Sequence, residues 1–299
     1  MSGAARERLT GQPLDRLFAL YMAAAVLPLA FPHRPAAWPL LLTLHALVVS
    51  AGWPLFAPRR MTDALSPAAQ RRLRTLADWA PLLLMPLLYA ELETVNRAIH
   101  DGFYFDATIM AWEQSLFGGQ PSRDWAARAP RLWLSEPLHA AYLSYYFIIF
   151  APAVLLFLRA PRDHFRAALF ALMLTFFVHY LCFIYFPVQG PRYLAPPPGG
   201  ALSDGPMYRL AHAVLEAGSS RGAAFPSSHV GVAVAQTLIA WRYLPGLAPL
   251  LAVLTLGLAA GAIYGGFHYA IDVLCGAVLG AVLFTIAEPL RRRLAAASS

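Results

Sequence analysis

Two stretches of this 299-residue chain set histidine beside groups that can activate it: Phe225-Pro226-Ser227-Ser228-His229 and Tyr264-Gly265-Gly266-Phe267-His268-Tyr269-Ala270-Ile271-Asp272. In the second, the carboxylate comes four residues after the imidazole, so on a helix the two share a face and Asp272 can accept the ring N–H. A histidine held in one tautomer keeps its other nitrogen as a nucleophile, and His229 can carry the proton that bond breaking requires. Arg192, in Gln189-Gly190-Pro191-Arg192-Tyr193, offers a guanidinium that forks onto phosphate oxygens. Ser227 and Ser228 add hydroxyls at a helix start after Pro226, where free backbone N–H groups favour an anion. Together these are the parts of a phosphoryl-transfer site that calls for no metal and no cofactor.

The elements that must hold these groups are membrane helices. Hydrophobic residues make up 59% of the chain, charged residues only 13%, and the mean hydropathy is +0.53, which excludes an ordinary soluble domain. About eight stretches approach the roughly 20 apolar residues needed to cross a bilayer. They lie near Leu14–Phe31, Ala37–Phe56, Leu76–Leu92, Leu138–Leu158, Ala167–Phe186, Pro226–Tyr243, Gly246–Tyr264 and Phe267–Ala287. The first follows Arg6, Arg8 and Arg16 without a small-residue cleavage site and reads as an uncleaved anchor. The expected fold is all-α, a polytopic membrane helix bundle of about eight transmembrane helices. Residues 1–75 form N-terminal spans and a cytoplasmic loop, and residues 76–299 form the catalytic membrane domain.

Every one of the 23 basic residues is arginine, and the net charge is +7. With alternating spans, fifteen arginines fall on the side of the termini and eight on the other. The positive-inside tendency then puts both termini in the cytoplasm and opens both histidine motifs toward the periplasm or exterior. The composition points to a bacterial inner membrane. No basic helix with interleaved aromatics is present, so nucleic acid is not an expected partner. On the outer face, the segment Asn96–Pro137 mixes Tyr104, Phe105, Trp112, Trp125 and Trp133 with charges, as helices lying among lipid headgroups do. After the Pro/Gly-rich stretch Ala195–Pro206, Met207, Leu210, Ala211, Val214 and Leu215 recur at helical spacing, fitting either an interfacial helix over the site or a connector.

The motifs resemble those of the type 2 phosphatidic acid phosphatase (PAP2) superfamily, and within it the branch that includes fungal inositol phosphorylceramide synthase. The second motif of that superfamily, Pro-Ser-Gly-His, is matched by Pro226, Ser227 and His229, with Ser228 replacing glycine. The third ends in a histidine and an aspartate four residues later, matched by His268 and Asp272. Asp106 through Trp112 to Phe117-Gly118 is similar to a segment common in the branch. The resemblance implies a PAP2-type catalytic core with His268 as nucleophile, His229 as general acid, Asp272 as orienting carboxylate and Arg192 as phosphate ligand. Two features depart from the phosphatase pattern. There is no lysine before Arg192, and Gly261 and Ala262 stand where the third motif opens Ser-Arg. Arg221 is placed in sequence to substitute for the missing arginine.

The expected activity is transfer of a phosphoryl group or phosphate-bearing headgroup from a lipid through a phosphohistidine, with water or a lipid alcohol as acceptor. Phospholipids and polyprenyl phosphates both suit the site, and phosphatidic acid or polyprenyl-pyrophosphate hydrolysis is the alternative within the same chemistry. A non-catalytic lipid binder or transporter is the alternative of another class, and it would have no use for an oriented nucleophile and a general acid. His45, His139 and His179 read as packed core residues, His179 with a further reading as a support for the site. Cys182 and Cys275 read as small core residues, Glu91 and Glu93 as interfacial, and Trp112 and Trp125 as headgroup anchors.

Overall fold

A computed structural model describes residues 13–27, 38–39, 43, 65–195 and 199–296. The span expected near Ala37–Phe56, and His45 within it, lie outside the described residues apart from isolated positions. The chain enters with α1 (Pro13–Val26) and resumes with α2 (Pro67–Leu83), which starts cleanly because the Ser66 hydroxyl accepts the Ala69 N–H and Pro67 fills a position that needs no donor. The single span expected over Leu76–Leu92 is divided. Helix α2 ends at Leu83, α3 runs Met85–Ala90, and α4 runs Leu92–His100. Proline is the physical reason: Pro81 and Pro86 each remove a helix N–H and crowd the preceding turn.

Two short helices follow, α5 (Asp106–Phe117) and α6 (Pro121–Arg128). Then come α7 (Leu132–Leu143) and α8 (Tyr145–Arg159), which together form a 28-residue apolar rod. Helix α9 covers Arg162–Tyr185, and α10 is a single turn, Pro191–Leu194. Helix α11 covers Pro206–Gly218, α12 Ser228–Tyr243, α13 Ala248–Tyr264 and α14 Ala270–Ala296. Among the described residues, three helices are long and apolar enough to cross a membrane: Leu132–Arg159, Arg162–Tyr185 and Ala270–Ala296. Helix α13 is equally apolar at 17 residues. The fold is therefore an all-α membrane bundle.

Helix α9 is the axis. It is apolar all round and buried over most of its length, as a helix surrounded by others must be. It packs against α1, α4, α8, α12 and α14. The tightest crossing joins α12 to α14, where a Cβ on Gly276 would collide with the Ser227 carbonyl and one on Gly280 with the Gly231 carbonyl. This small-xxx-small spacing lets two backbones touch, which is how helices gain packing energy where lipid removes the hydrophobic drive. On the outside, Val253, Leu256 and Val278 are exposed, a surface that matches lipid. Helix α11 forms and lies on α7, its start pinned by Glu136, whose carboxylate accepts the N–H groups of Met207 and Tyr208 at 3.1 Å each.

Candidate active site

The close crossing of α12 and α14 decides where the two histidines meet. Ser227 caps α12, its hydroxyl accepting the Val230 N–H at 3.4 Å, while its own N–H donates to the Asp272 carbonyl at 3.0 Å. His229 therefore stands in the first turn of α12, beside the first turn of α14. His268 sits in the turn between α13 and α14, after Gly266, whose φ of +67° only glycine adopts freely. The N–H groups of Phe267 and His268 both return to the Ala262 carbonyl, at 3.0 and 3.1 Å. This closes the turn and fixes the imidazole.

His268 Nε2 faces His229 Nδ1 at 3.4 Å, and the other His268 nitrogen, Nδ1, lies 3.0 Å from the Ala224 carbonyl oxygen. A carbonyl only accepts, so Nδ1 carries the proton and Nε2 presents a lone pair to His229. Asp272 lies 3.6 Å from Nδ1, too far for a hydrogen bond, and its Oδ2 accepts the Tyr269 N–H at 2.9 Å instead. The sequence expects Asp272 itself to accept the imidazole N–H on a shared helix. His268 precedes the first residue of α14, so the helical spacing does not apply to it, and a backbone carbonyl fixes the tautomer with the carboxylate alongside. Both groups are buried, at 3% and 0% exposure.

Arg192 is the second residue of α10 and donates from Nη1 to the Ser219 hydroxyl at 3.0 Å. It lines a cavity of about 770 Å³ with Ser122, Arg123, Tyr208, His212, Glu216, Gly265 and Gly266. Neither His229 nor His268 lines that space, but Gly265 and Gly266 lead directly into His268, and Arg192 is near enough for its charge to act on His268 and His212 alike. Burial, with the neighbouring His139 and Arg192, lowers the His212 pKa to about 4, so it is neutral at pH 7. Arg221 lies elsewhere. It is exposed, its N–H donates to Glu93, and its guanidinium rests 5.1 Å from the Tyr193 ring. The cation that shares the cavity with Arg192 is Arg123, at the start of α6. Ser227 and Ser228 are buried at the α12 start, Ser227 as the cap.

Two carboxylates that spacing alone did not assign hold this assembly together. Asp106 and Glu113 are seven residues apart, on one face of α5. Asp106 accepts the N–H groups of Gln189 and Gly190, both at 2.9 Å, and the Tyr269 hydroxyl at 3.0 Å. One buried side chain thus joins the loop that delivers Arg192 to the residue after His268. Glu113 accepts the Ala270 N–H at the start of α14. Burial outweighs that contact and pushes its pKa up to about 7. Of the other histidines, His139 and His179 are buried and bonded through Nδ1 to the carbonyls of Ser135 and Thr175, each one turn earlier. His179 also fills the space over Gly231, just after His229. Cys182 and Cys275 are free.

The fold and this geometry define a helical membrane protein in which two facing histidines, a buried carboxylate and an arginine converge where three chain segments meet. A family model of the PAP2 superfamily matches residues 107–286, more than half of the chain, and the chain belongs to that superfamily. Membership supports a phosphatase- or phosphotransferase-type function on phosphorylated lipids. Among curated proteins and among solved structures, nothing matches the chain.

Proposed function

We propose that the protein is a metal-independent lipid phosphotransferase that moves a phosphate-bearing headgroup through a phosphohistidine on His268, similar in kind to the inositol phosphorylceramide synthase branch. The observation that carries this reading is the pair of ring contacts at His268: Nδ1 against the Ala224 carbonyl and Nε2 toward His229 Nδ1. The Nε2 lone pair attacks phosphorus, a P–N bond forms, the bond to the leaving oxygen breaks, and His229 delivers a proton to that oxygen. The acceptor hydroxyl then attacks the phosphohistidine, the P–N bond breaks, and His229 takes the proton back. Asp272, beside the His268 ring, stabilises the positive charge that builds there in the first step. Arg192 holds the phosphoryl oxygens, and Arg123 supplies the second cation that the absent third-motif arginine would have given.

Headgroup transfer to a lipid alcohol is favoured over hydrolysis. The cavity holds two arginines, and a phosphomonoester dianion asks for more positive charge than a diester monoanion does. Its 770 Å³ also exceeds what a bare phosphate fills. Hydrolysis of a polyprenyl pyrophosphate is the second reading, favoured by a cavity of about 770 Å³ that has room for two linked phosphates. Residues 76–299 are the proposed catalytic unit and residues 1–75 an N-terminal addition. The distribution of arginines supports cytoplasmic termini in a bacterial inner membrane and a site open to the periplasm.

The test is to offer the detergent-purified protein a panel of phospholipids and polyprenyl pyrophosphates, with and without diacylglycerol or ceramide. A new phospholipid made only when the lipid alcohol is present is the expected result. Free phosphate from phosphatidic acid, with diesters untouched, would refute the transfer reading. Binding without turnover would move the protein to a lipid-binding or transport role.

A further inference from the structure

We propose that Tyr142 is a positioning residue for the proton-transfer histidine, fixing which nitrogen of His229 faces the nucleophile. The inference rests on the proposed roles of His229 and His268. Four groups form a continuous hydrogen-bonded line: Tyr142 hydroxyl to His229 Nε2 at 3.3 Å, His229 Nδ1 to His268 Nε2 at 3.4 Å, and His268 Nδ1 to the Ala224 carbonyl at 3.0 Å. The last member sets the direction of all the others. A carbonyl can only accept, so His268 donates from Nδ1 and, as a neutral ring, must accept at Nε2. His229 therefore donates from Nδ1 and accepts at Nε2, which leaves Tyr142 as the donor that ends the line.

This polarity aims the His229 proton at the place where the leaving oxygen must pass. When an anionic phosphate enters between the rings, His229 takes up a second proton from solvent, and its Nε2–H then points at the Tyr142 oxygen. A hydroxyl turns from donor to acceptor by rotating, so Tyr142 holds the ring in one orientation in both states. After Nδ1 has given its proton to the leaving oxygen, the Nε2–H bond to Tyr142 remains and Nδ1 is free to take the acceptor's proton. Phenylalanine would keep the ring, which stacks on His229 with centroids 5.2 Å apart, and lose both bonds. Tyr145 supplies the control: its ring lies 4.4 Å from the His229 ring centroid, and among the described residues its hydroxyl makes no hydrogen bond to His229.

The experiment compares wild type, Tyr142→Phe and Tyr145→Phe on phenyl phosphate, whose leaving oxygen needs a proton, and on para-nitrophenyl phosphate, whose leaving oxygen does not. The expected result is a loss of roughly tenfold or more in kcat for Tyr142→Phe on phenyl phosphate and of less than about threefold on para-nitrophenyl phosphate. Tyr145→Phe should leave the ratio of the two substrates unchanged. An equal loss on both substrates, or no loss on either, overturns the proposal. Nitrogen-15 spectra of the imidazoles give a readout independent of turnover. Without added phosphate, His229 should be the Nδ1–H tautomer in wild type and a mixture in Tyr142→Phe, and spectra that match would overturn the proposal even if neither ester is a substrate. Failure of the wider functional reading would show differently, as absence of turnover in wild type with the tautomer shift intact.

Discussion

His229 and His268 have unequal duties in the proposed reaction, so their losses should be unequal in kind. His268→Ala removes the atom that bonds phosphorus, and no leaving group restores the rate. His229→Ala removes a proton donor worth about 10²- to 10⁴-fold, and an ester of para-nitrophenol should recover most of that loss. Rate measurements on lipid and activated esters check this, and equal rescue of both variants would undo the assignment. Among the arginines, Arg192→Ala should cost most, Arg123→Ala less and Arg221→Ala least, because only the first two line the cavity. That His229, His268 and Arg192 are candidates for the site could be read from residue type and spacing. The choice of Arg123 over Arg221 could not, since it depends on α6 folding back to the turn before His268, where the Ser122 carbonyl comes within 3.9 Å of the place a Gly266 Cβ would occupy. Glu113 gives a pH test. Its carboxyl binds its proton more tightly in the folded chain, at about 7, than the ordinary 4.5. Its contribution to stability is therefore greatest below about 4.5 and is lost as pH rises through about 7. Glu113→Gln should remove that slope from a series of melting curves, and an unchanged slope would show that Glu113 is not its source.

At the scale of elements, α5 and the α12–α14 crossing hold the site. Asp106 reaches across more than eighty residues to Gln189 and further to Tyr269, so no local pattern could have announced its partners. An acidic pair two turns apart on a helix rich in apolar residues was the available signal. Asp106→Ala leaves three buried or half-buried donors without an acceptor and should destabilise the protein by about 2–5 kcal/mol. Asp106→Asn, retaining one acceptor, should lose less. Thermal unfolding in detergent distinguishes the two. Gly280→Leu, placed against the Gly231 backbone, should force the helices apart and cost about 3 kcal/mol or more, whereas the exposed Val278→Leu should be neutral. Helix α11 followed the apolar spacing of its sequence. The division of the Leu76–Leu92 stretch followed Pro81 and Pro86, which a count of apolar residues passes over.

Over the whole molecule, the all-α membrane character was legible because composition and span length depend on no tertiary contact. The meeting of three distant segments at His268 was legible only through the family resemblance, because it requires α12 and α14 to pack. Arg192 and Arg123, with no acidic cluster among the described residues at the cavity, predict that turnover survives EDTA and falls with orthovanadate, a mimic of pentavalent phosphorus. Strict dependence on added Mg²⁺ after chelation would contradict this. The arginine distribution predicts that Arg209→Cys is labelled from outside intact cells and Arg293→Cys is not, once Cys182 and Cys275 are replaced by alanine. The reverse pattern would turn the site to the cytoplasm.

The central claim is that phosphorus becomes bonded to His268 Nε2, and the most direct measurement is to trap that bond. Protein mixed with a lipid substrate labelled at phosphorus is quenched in alkali within the first turnover, digested and mapped by mass spectrometry. The account predicts an alkali-stable, acid-labile adduct on the His268 peptide, absent from His268→Ala and accumulating in His229→Ala when the leaving group is para-nitrophenol. Label on another residue, or full turnover with no adduct in the first cycle, would contradict it.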